Sequence, residues 1–144
     1  MALPEHIELQ IVTPERHVLE ETVDAVEVPG KEGYLGVLPG HAPLITELGV
    51  GTLAYRKGTE TRFLTVISGY AEVLPDRVIV LAEASEKAEE IDAGRARTAQ
   101  ERAQAELAKA AAGSEEWQQA AVALERALTR MQAISKAGGG AAAH

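Results

Sequence analysis

An abrupt change of composition near residue 85 limits the folds open to this chain more than any other feature. All six prolines and 11 of the 12 valines lie in residues 1–84, whereas 19 of the 26 alanines lie in residues 85–144. Valine and proline are typical of short strands and turns, while dense alanine favours helix. We therefore predict a β domain at 1–84 and a helical domain at 85–136, followed by a disordered tail at 137–144.

The first half carries the pattern of an antiparallel β-sandwich. Residues 7–12 alternate between apolar and more polar side chains, as in a half-buried strand. Residues 49–51 are a predicted turn, and residues 78–81 are apolar throughout, which predicts a central strand. Many short strands separated by turns are typical of a sandwich or barrel, and we assign a sandwich. The other strands are predicted at 23–28, 34–38, 52–56, 61–68, 70–74 and 77–84.

The second half is predicted to form an antiparallel two-helix hairpin, so that the fold class is β followed by α. The first helix spans about 88–112 and ends at Gly113. Ser114 is suited to cap the second helix, because Glu115 and Glu116 then fall in its first turn. Spacings of three and four on the second helix define one apolar stripe of Trp117, Ala121, Leu124, Leu128 and Met131.

The high alanine content of the hairpin predicts weak docking. Each alanine methyl buries little area, and buried apolar area contributes only about 25 cal/mol per Å². The hairpin is therefore expected to fold against the β domain or to extend onto another partner. A permanently packed hairpin is the alternative interpretation.

The composition argues against several classes of protein. With no cysteine, neither disulfides nor zinc–thiolate sites are expected. No run approaches the roughly 20 apolar residues of a membrane span, and the N-terminus lacks the features of a signal peptide. A net charge of −8, with −7 of it in residues 1–84, argues against nucleic acid and favours basic partner surfaces.

The sequence shows no arrangement of residues suited to catalysis. Acidic residues are plentiful but scattered, and no phosphate-binding loop of the Gly-x-x-x-x-Gly-Lys-Ser/Thr type is present. A bound nucleotide is therefore not expected to be hydrolysed, and we predict a non-catalytic chain with no catalytic residues and no metal site.

Three ordered blocks of sequence resemble the epsilon subunits of bacterial F-type ATP synthases. The first is GYLGVLPGHAPL at 33–44, and the second joins SGYAEV at 68–73 with VIVLAE at 78–83. The third, IDAGRA at 91–96, matches the family's nucleotide-associated Ile/Leu-Asp-x-x-Arg-Ala pattern. The resemblance covers roughly residues 5–136 and extends over the whole β-then-hairpin layout.

The resemblance implies a place in a proton-translocating rotary complex. The β domain would contact the gamma subunit and the ring of c subunits at the foot of the central stalk. The hairpin would be compact or extended, and the extended form would reach the alpha and beta subunits and inhibit ATP hydrolysis. No cofactor is required, but ATP is a regulatory ligand of some members. The location implied is peripheral, on the cytoplasmic face of the bacterial inner membrane, without direct membrane insertion.

The resemblance and the helix spacing together predict an ATP site. On an ideal helix, Asp92, Arg95 and Arg102 lie within about 80° of one another, which suits a carboxylate for ribose or base and guanidiniums for phosphates. Ordinary surface pairing, of Asp92 with Arg95 and of Arg102 with Glu106, is the alternative. The candidate set is Glu86, Ile91, Asp92, Arg95, Arg102, Arg126 and Arg130.

Arg126 and Arg130 lack a local partner, which predicts that they bind an anion. They lie four residues apart with no acid at helical spacing, so either a phosphate or a partner's carboxylate would satisfy them. Two features oppose a site shared by both helices. The pair projects nearly opposite the apolar stripe, and Gly94 costs the start of the first helix roughly 1 kcal/mol relative to alanine.

A second candidate set concerns contacts with other subunits. By resemblance, the loop that contains Lys31, Glu32, Gly33 and Tyr34 is a candidate for contact with the c-ring, although some relatives carry an acid where this chain has Tyr34. His41 has no second metal ligand at suitable spacing, so a structural or subunit-contact role is favoured over a metal site.

Two other functions compete with the stalk subunit. One is a free-standing module that senses ATP by closure of the hairpin. The other is a structural adaptor with a fixed hairpin and no nucleotide site.

Overall fold

The computed structural model describes residues 3–142. Within that range the chain forms seven strands, a short 3-10 helix and two α-helices. The strands precede the helices, which confirms the predicted fold class. The elements are β1 (Ile7–Val12), β2 (His17–Val23), β3 (Ala25–Gly30), β4 (Gly33–Val37), β5 (Leu44–Lys57), β6 (Glu60–Leu74), β7 (Arg77–Lys87), the 3-10 helix (Ala88–Glu90), α1 (Ala93–Lys109) and α2 (Glu115–Ala142).

The seven strands form one sheet in the order β2-β1-β7-β6-β5-β3-β4. Neighbouring strands are antiparallel except β1 and β7, which are parallel. Val18 of β2 and Val37 of β4 come from opposite edges of the sheet and yet enter the same core. A sheet whose two edges share one core folds over on itself, so the domain is a sandwich.

The core is built from aliphatic side chains that alternate along the strands. Every second residue of β1 from Ile7 to Ile11 is fully buried, as the alternation predicts. β7 lies between β1 and β6, which confirms a central position. Its faces nevertheless differ, because Val78 and Val80 are fully buried while Leu81 is 55% exposed.

Several of the predicted strand boundaries are wrong. The predicted turn at 49–51 lies inside β5, and the predicted strands 61–68 and 70–74 are both part of β6. The strand β2 was not predicted at all. It is an edge strand that carries Glu20 and Glu21, and charged residues on an edge hide the apolar alternation while they block pairing with other chains.

The glycines inside β5 and β6 allow close approach of neighbouring backbone and side chains. A Cβ on Gly51 would lie 2.8 Å from the Cβ of Pro29, and a Cβ on Gly69 would collide with the carbonyl oxygen of Leu81. Ser68 and Gly69 both have positive φ, which marks an irregularity in β6. Glycine therefore signals packing and a bend here, and not the end of a strand.

The helices start and stop where their capping residues lie. α1 begins only at Ala93, because Asp92 is its N-cap and the preceding residues form the 3-10 helix. The predicted span of 88–112 was thus too long at both ends. Ser114 caps α2 as predicted, and its Oγ accepts a hydrogen bond from the backbone N–H of Trp117 at 3.1 Å.

Alanines, and not the predicted stripe, form the contact between α1 and α2. The buried residues of α1 are Ala96 and Ala103, and Ala120 and Ala127 of α2 are also buried, with seven residues between the members of each pair. Small side chains let two helices approach closely. We call these four residues the alanine seam.

The predicted apolar stripe lies beside this seam and is only partly covered. Leu128 is 45% exposed, and the other four members are half-buried. The stripe holds the largest apolar residues of α2, which is why the spacing indicates it as the buried face. Close packing of the two helices depends instead on the smallest ones.

α2 continues past the predicted end of the hairpin and also packs on the sheet. The tail predicted to be disordered from 137 is helical as far as Ala142, while residues 143–144 lie outside the described range. Because the preceding turns of α2 are already helical, the helix extends through the glycines without a new nucleation step. Ala133 is fully buried where α2 lies against β5 and β6.

Candidate functional site

A cleft of about 230 Å³ lies where the end of β7, the start of α1 and the middle of α2 meet. It contains five of the seven residues predicted for the ATP site, together with Glu90 and Ala96. Its lining is Glu86, Glu90, Ile91, Asp92, Arg95, Ala96 and Arg130. Residues separated by 44 positions in sequence are thus brought to one place by the docking of α2.

Glu86 is fixed by hydrogen bonds between β6 and β7. Its backbone N–H donates to Thr65 Oγ1 at 3.0 Å, and the hydroxyl of the neighbouring Ser85 donates to the Thr65 carbonyl at 2.6 Å. These bonds hold the Glu86 carboxylate toward α2. Arg130 Nε donates to Glu86 Oε1 at 2.7 Å, with the two side chains 42% and 36% exposed.

Asp92 of the Ile-Asp-x-x-Arg-Ala segment caps the first turn of α1. Its Oδ1 accepts a hydrogen bond from the backbone N–H of Arg95 at 2.9 Å and so caps α1. Within residues 3–142 it forms no side-chain ion pair with Arg95, and Arg102 forms none with Glu106. The alternative interpretation, in which these residues form ordinary ion pairs on the helix surface, therefore does not hold in this conformation.

Arg126 lies in a second groove, of about 630 Å³, that adjoins the cleft. Arg130 lines both cavities, while Ala99 of α1 lines the groove opposite Arg126. The orientation of Arg126 and Arg130 was predicted to oppose a site shared by both helices. That prediction is wrong, because the apolar stripe does not form the contact between α1 and α2. Arg102 is exposed and lines neither cavity.

The charges of the cleft and the groove differ. The cleft holds the carboxylates of Glu86, Glu90 and Asp92 against two guanidiniums, whereas the groove holds two guanidiniums and one carboxylate, that of Glu115. Neutral hydrogen-bonding groups therefore suit the cleft, and an anion suits the groove. The cleft alone is smaller than the roughly 300–1,000 Å³ of ordinary ligand pockets, so a larger ligand must use both cavities.

A row of polar residues lies on the sheet beneath α2. Thr52, Thr65 and Glu86 are paired across β5, β6 and β7. The row is extended by Tyr34, whose hydroxyl accepts a hydrogen bond from the Thr52 N–H at 3.3 Å. We call Glu86, Thr65, Thr52 and Tyr34 the docking row.

α2 touches both ends of the docking row. Arg130 reaches Glu86, and the Lys136 ammonium lies 5.7 Å from the centre of the Tyr34 ring. Between them, Ala133 is fully buried. Arg130, Ala133 and Lys136 are spaced by three residues, as expected for one helix face lying along the row.

The residues predicted to contact other subunits do not form one patch. Lys31 and Glu32 lie at the exposed turn between β3 and β4, and Lys31 Nζ bonds Glu47 Oε2 at 2.9 Å. That hydrogen bond raises the pKa of the Lys31 ammonium. Tyr34, next to Gly33, lies beside Lys136 of α2 and is 49% exposed.

His41 lies in a separate loop. Its Nδ1 is 2.7 Å from the Ala42 carbonyl oxygen, and the N–H of the neighbouring Gly40 donates to Pro75 O at 2.8 Å. Within the described range no group of three or more His, Cys, Asp or Glu residues is placed to hold a metal ion. These contacts account for the loop as an ordered connection between β4 and β5.

Sequence reasoning missed Lys136, Thr52, Thr65 and the alanine seam. The seven-residue spacing of alanines at 96 and 103 and at 120 and 127 could have indicated the seam. The threonines of the docking row carry no such signal, because a buried threonine and an exposed one look the same in a strand pattern.

None of the helices in residues 3–142 combines the length and apolar character needed to cross a membrane.

Two family descriptions together match nearly the whole chain. Residues 6–88 match the β-sandwich domain of the ATP synthase delta/epsilon chain, and residues 89–135 match its long α-helix domain. The two matches meet between residues 88 and 89, one residue after β7 ends at Lys87 and four residues after the boundary predicted at 84.

The chain is similar over its length to several bacterial proteins. It is 48% identical to the ATP synthase epsilon chain of Syntrophobacter fumaroxidans, with 93% of this chain and 99% of that protein covered. The epsilon chain of Solibacter usitatus is 47% identical with the same coverage. A chain of the Euglena gracilis mitochondrial ATP synthase (OSCP/F1/c-ring) superposes with a TM-score of 0.77 at 26% identity, covering 100% of this chain and 85% of that chain.

Proposed function

Because the chain belongs to the ATP synthase delta/epsilon family as an epsilon chain, we propose that it couples stalk rotation to catalysis and that its hairpin reversibly restrains ATP hydrolysis. The observation that carries this proposal is the chemistry of the docking row. α2 packs over buried hydroxyls and a half-exposed ion pair. The similarity over the whole length favours a subunit over the free-standing nucleotide sensor.

The contacts along the docking row are individually weak. A half-exposed ion pair such as that between Arg130 and Glu86 is worth about 0–1 kcal/mol, and an exposed cation–π contact such as that between Lys136 and Tyr34 about 0.5–1 kcal/mol. Each contact of this size changes an equilibrium by at most about fivefold. A partner with a modest preference for the extended hairpin is therefore able to release α2.

One buried group opposes docking. Thr52 is 1% exposed, and within residues 3–142 its Oγ1 has no hydrogen-bond partner. A buried hydroxyl left unpaired costs roughly 1–3 kcal/mol. We infer that α2 covers this hydroxyl, so that undocking would let the threonine bond water and would relieve this cost.

The two domains then have separate partners. The acidic β domain would contact the gamma subunit and the c-ring, with the exposed turn at Lys31–Gly33 as one candidate contact, and the extended hairpin would reach the alpha and beta subunits. The chain itself contributes no catalytic group, and hydrolysis belongs to its partners. A peripheral position on the cytoplasmic face of the bacterial inner membrane follows from this assembly.

ATP would stabilise the docked hairpin by bridging the cleft and the groove. The base or ribose would occupy the cleft, near Ile91 and the carboxylates of Glu86 and Asp92, while the phosphates would lie in the groove beside Arg126 and Arg130. Arg95 also faces the cleft. Arg102 would have to change rotamer to take part.

Arg126 provides the sharpest test of ATP binding, because it touches no residue of the docking row. Isothermal titration calorimetry with millimolar ATP should give a binding heat for the wild-type chain. Arg126→Ala should weaken binding by at least tenfold, since a charge-assisted hydrogen bond is lost. Arg97→Ala, an exposed arginine of α1 outside both cavities, is the matched control. Equal affinities for the two variants, or no heat with the wild type, would refute the site.

Removal of the hairpin tests inhibition. Truncation after Lys87 keeps all of β7, including the bonds of Ser85 and Glu86 to Thr65, which a cut at Ala84 would destroy. The truncated chain should still assemble with the complex, and ATP hydrolysis by that complex should rise. If the truncated chain still assembles and ATP hydrolysis by the complex is unchanged, the chain is a structural adaptor and the regulatory proposal is refuted.

A further inference from the structure

The exposed turn between β3 and β4 and the docked end of α2 meet at one side chain, that of Tyr34. Tyr34 is the second residue of β4 and directly follows Gly33, which closes the turn. Lys136 of α2 lies over its ring, with Nζ 5.7 Å from the ring centre. The other members of the docking row lie within β5, β6 and β7. Tyr34 is therefore the point where a change in the turn reaches α2.

The ring of Tyr34 is held across two neighbouring strands. Tyr34 pairs with Pro29 of β3, and its hydroxyl accepts a hydrogen bond from the Thr52 N–H of β5 at 3.3 Å. Gly51 leaves room for this contact, because a Cβ there would lie 2.9 Å from the Tyr34 hydroxyl oxygen. The position of the ring beside Lys136 thus depends on the backbone at the start of β4, which the turn sets.

Two glycines and a lysine set the conformation of the turn. Gly33 has a φ of +134°, in the region that favours glycine, and a Cβ on Gly30 would lie 2.6 Å from the Gly33 carbonyl oxygen. The Lys31 N–H donates to the Glu47 carbonyl at 2.8 Å, and Lys31 Nζ donates to the Glu47 carboxylate at 2.9 Å. Both side chains of this pair are exposed, so a basic group of a partner is able to compete with Lys31 for Glu47.

We propose that the turn at Lys31–Gly33 and the docking of α2 are coupled through Tyr34. A partner that displaces Lys31 from Glu47 and changes the turn moves the Tyr34 ring away from Lys136 and favours the undocked hairpin. Coupling is reciprocal, so docking of α2 equally holds the turn in the conformation seen here. This inference rests on the proposed function, because it takes the hairpin to dock reversibly. It adds how an event on the β domain reaches the hairpin.

The size of the coupling follows from the contact that carries it. An exposed contact between a cation and an aromatic ring shifts an equilibrium by about two- to fivefold. A single contact cannot transmit more than its own strength. Effects of about two- to fivefold are therefore expected at each end, and both should vanish when Lys136 is neutralised.

Hydrogen exchange of the full-length isolated chain, resolved by residue with NMR, tests the coupling from both ends. Gly33→Ala strains only the backbone of the turn, because a Cβ there meets no atom of the described residues within 4 Å. It should speed amide exchange in residues 130–137 about two- to fivefold, since the end of an undocked helix frays. Lys136→Gln should speed exchange of the Lys31 amide, which donates to Glu47, by a similar factor. In the double variant, Gly33→Ala should add nothing in residues 130–137.

Two matched variants control for backbone strain and for loss of charge. Gly58→Ala makes the same change in the turn between β5 and β6, at a φ of +63° and with no atom of the described residues within 4 Å of the added Cβ. Lys109→Gln removes an exposed lysine from the last turn of α1. Neither control should alter exchange in residues 130–137 or at the Lys31 amide.

The outcomes separate this inference from the proposed function. If residues 130–137 of the wild type exchange only by global unfolding, as slowly as β1, the hairpin is fixed and the proposed function fails. If they exchange faster than β1, and either Gly33→Ala or Lys136→Gln leaves the distant site unchanged, only the coupling is refuted. The coupling is also refuted if Gly33→Ala acts equally strongly with and without Lys136, because the contact with Tyr34 then does not carry the effect.

Discussion

The β domain and the hairpin of this chain are held together in opposite ways. The domain closes around fully buried branched side chains such as Leu53 and Val66, whereas the hairpin closes around an alanine seam and rests on a row of hydroxyls. Each buried leucine removes far more apolar area from water than an alanine does. Stability is therefore concentrated in one half of the chain, so that the other half is free to change position.

The outer face of the sheet repeats this contrast on a smaller scale. Its polar end receives the chain's own helix, and its apolar end, at Ile45, Tyr70 and Leu81, stays open. A chain that placed leucines in the docking row would hold its hairpin permanently. The polar residues of the docking row thus keep the contact with α2 reversible.

The largest expected effect comes from the core. Leu53→Ala removes a side chain with no exposed area and should lower the free energy of unfolding of the β domain by about 2–5 kcal/mol. Urea unfolding followed by circular dichroism measures this. Leu38→Ala, at a residue that is 61% exposed, should cost under about 0.5 kcal/mol. Similar losses in both variants would contradict a β domain that is stabilised by its buried branched side chains.

A change in the alanine seam should affect the hairpin alone. Ala127→Leu overfills a contact between α1 and α2 and should destabilise their packing by about 1–3 kcal/mol. Hydrogen exchange should then show faster exchange in α1 and unchanged protection in β1 and β7. Ala105→Leu, the same change at an exposed position of α1, is the control. Loss of protection in the strands would contradict separate stabilities.

The cap of α1 should contribute less. Asp92→Ala removes the acceptor of the Arg95 N–H and should cost the helix about 0.5–2 kcal/mol, whereas Asp92→Asn keeps an acceptor and should cost little. Amide exchange in the first turn of α1 measures both. If the asparagine variant keeps the cap but loses ATP binding, Asp92 acts on the ligand as well as on the helix.

The smallest effect is a dependence of the β domain on pH. A hydrogen bond from the Gly58 N–H at 2.7 Å, followed by one with His6, lowers the pKa of Asp24 below its usual value of 3.8. A lowered pKa stabilises the fold above the unfolded-state pKa, and this contribution is lost as the pH falls through the folded-state pKa. Asp24→Asn should therefore be less stable than the wild type at neutral pH, with the difference shrinking below about pH 4. A difference independent of pH would contradict this.

The sequence predicts the β domain well because alternation reports burial directly. The strand β1 and the central position of β7 were confirmed for this reason. The edge strand β2 was missed because its glutamates interrupt the alternation. Glycines in β5 and β6 were misinterpreted because a sequence does not distinguish a glycine that turns from one that lets another strand approach.

The candidate site was predictable only in part. Spacing within one helix indicated that Arg126 and Arg130 need an anion, but the carboxylate that Arg130 contacts comes from β7, at Glu86. The side of α2 that faces α1 was predicted wrongly, because large apolar residues were given more weight than alanines. Long-range contacts of this kind depend on how α2 docks, and no local pattern records that.

The distance between α2 and the sheet shows directly whether the hairpin docks reversibly. The chain has no cysteine, so a pair introduced at the exposed residues Ser135 and Thr61 can carry spin labels for pulsed distance measurements. Labels on the isolated chain should give one dominant short distance, and a longer population should appear for Glu86→Gln and for the chain assembled in its complex. One unchanged distance in the isolated chain, in the variant and in the assembled complex would contradict a reversibly docked hairpin.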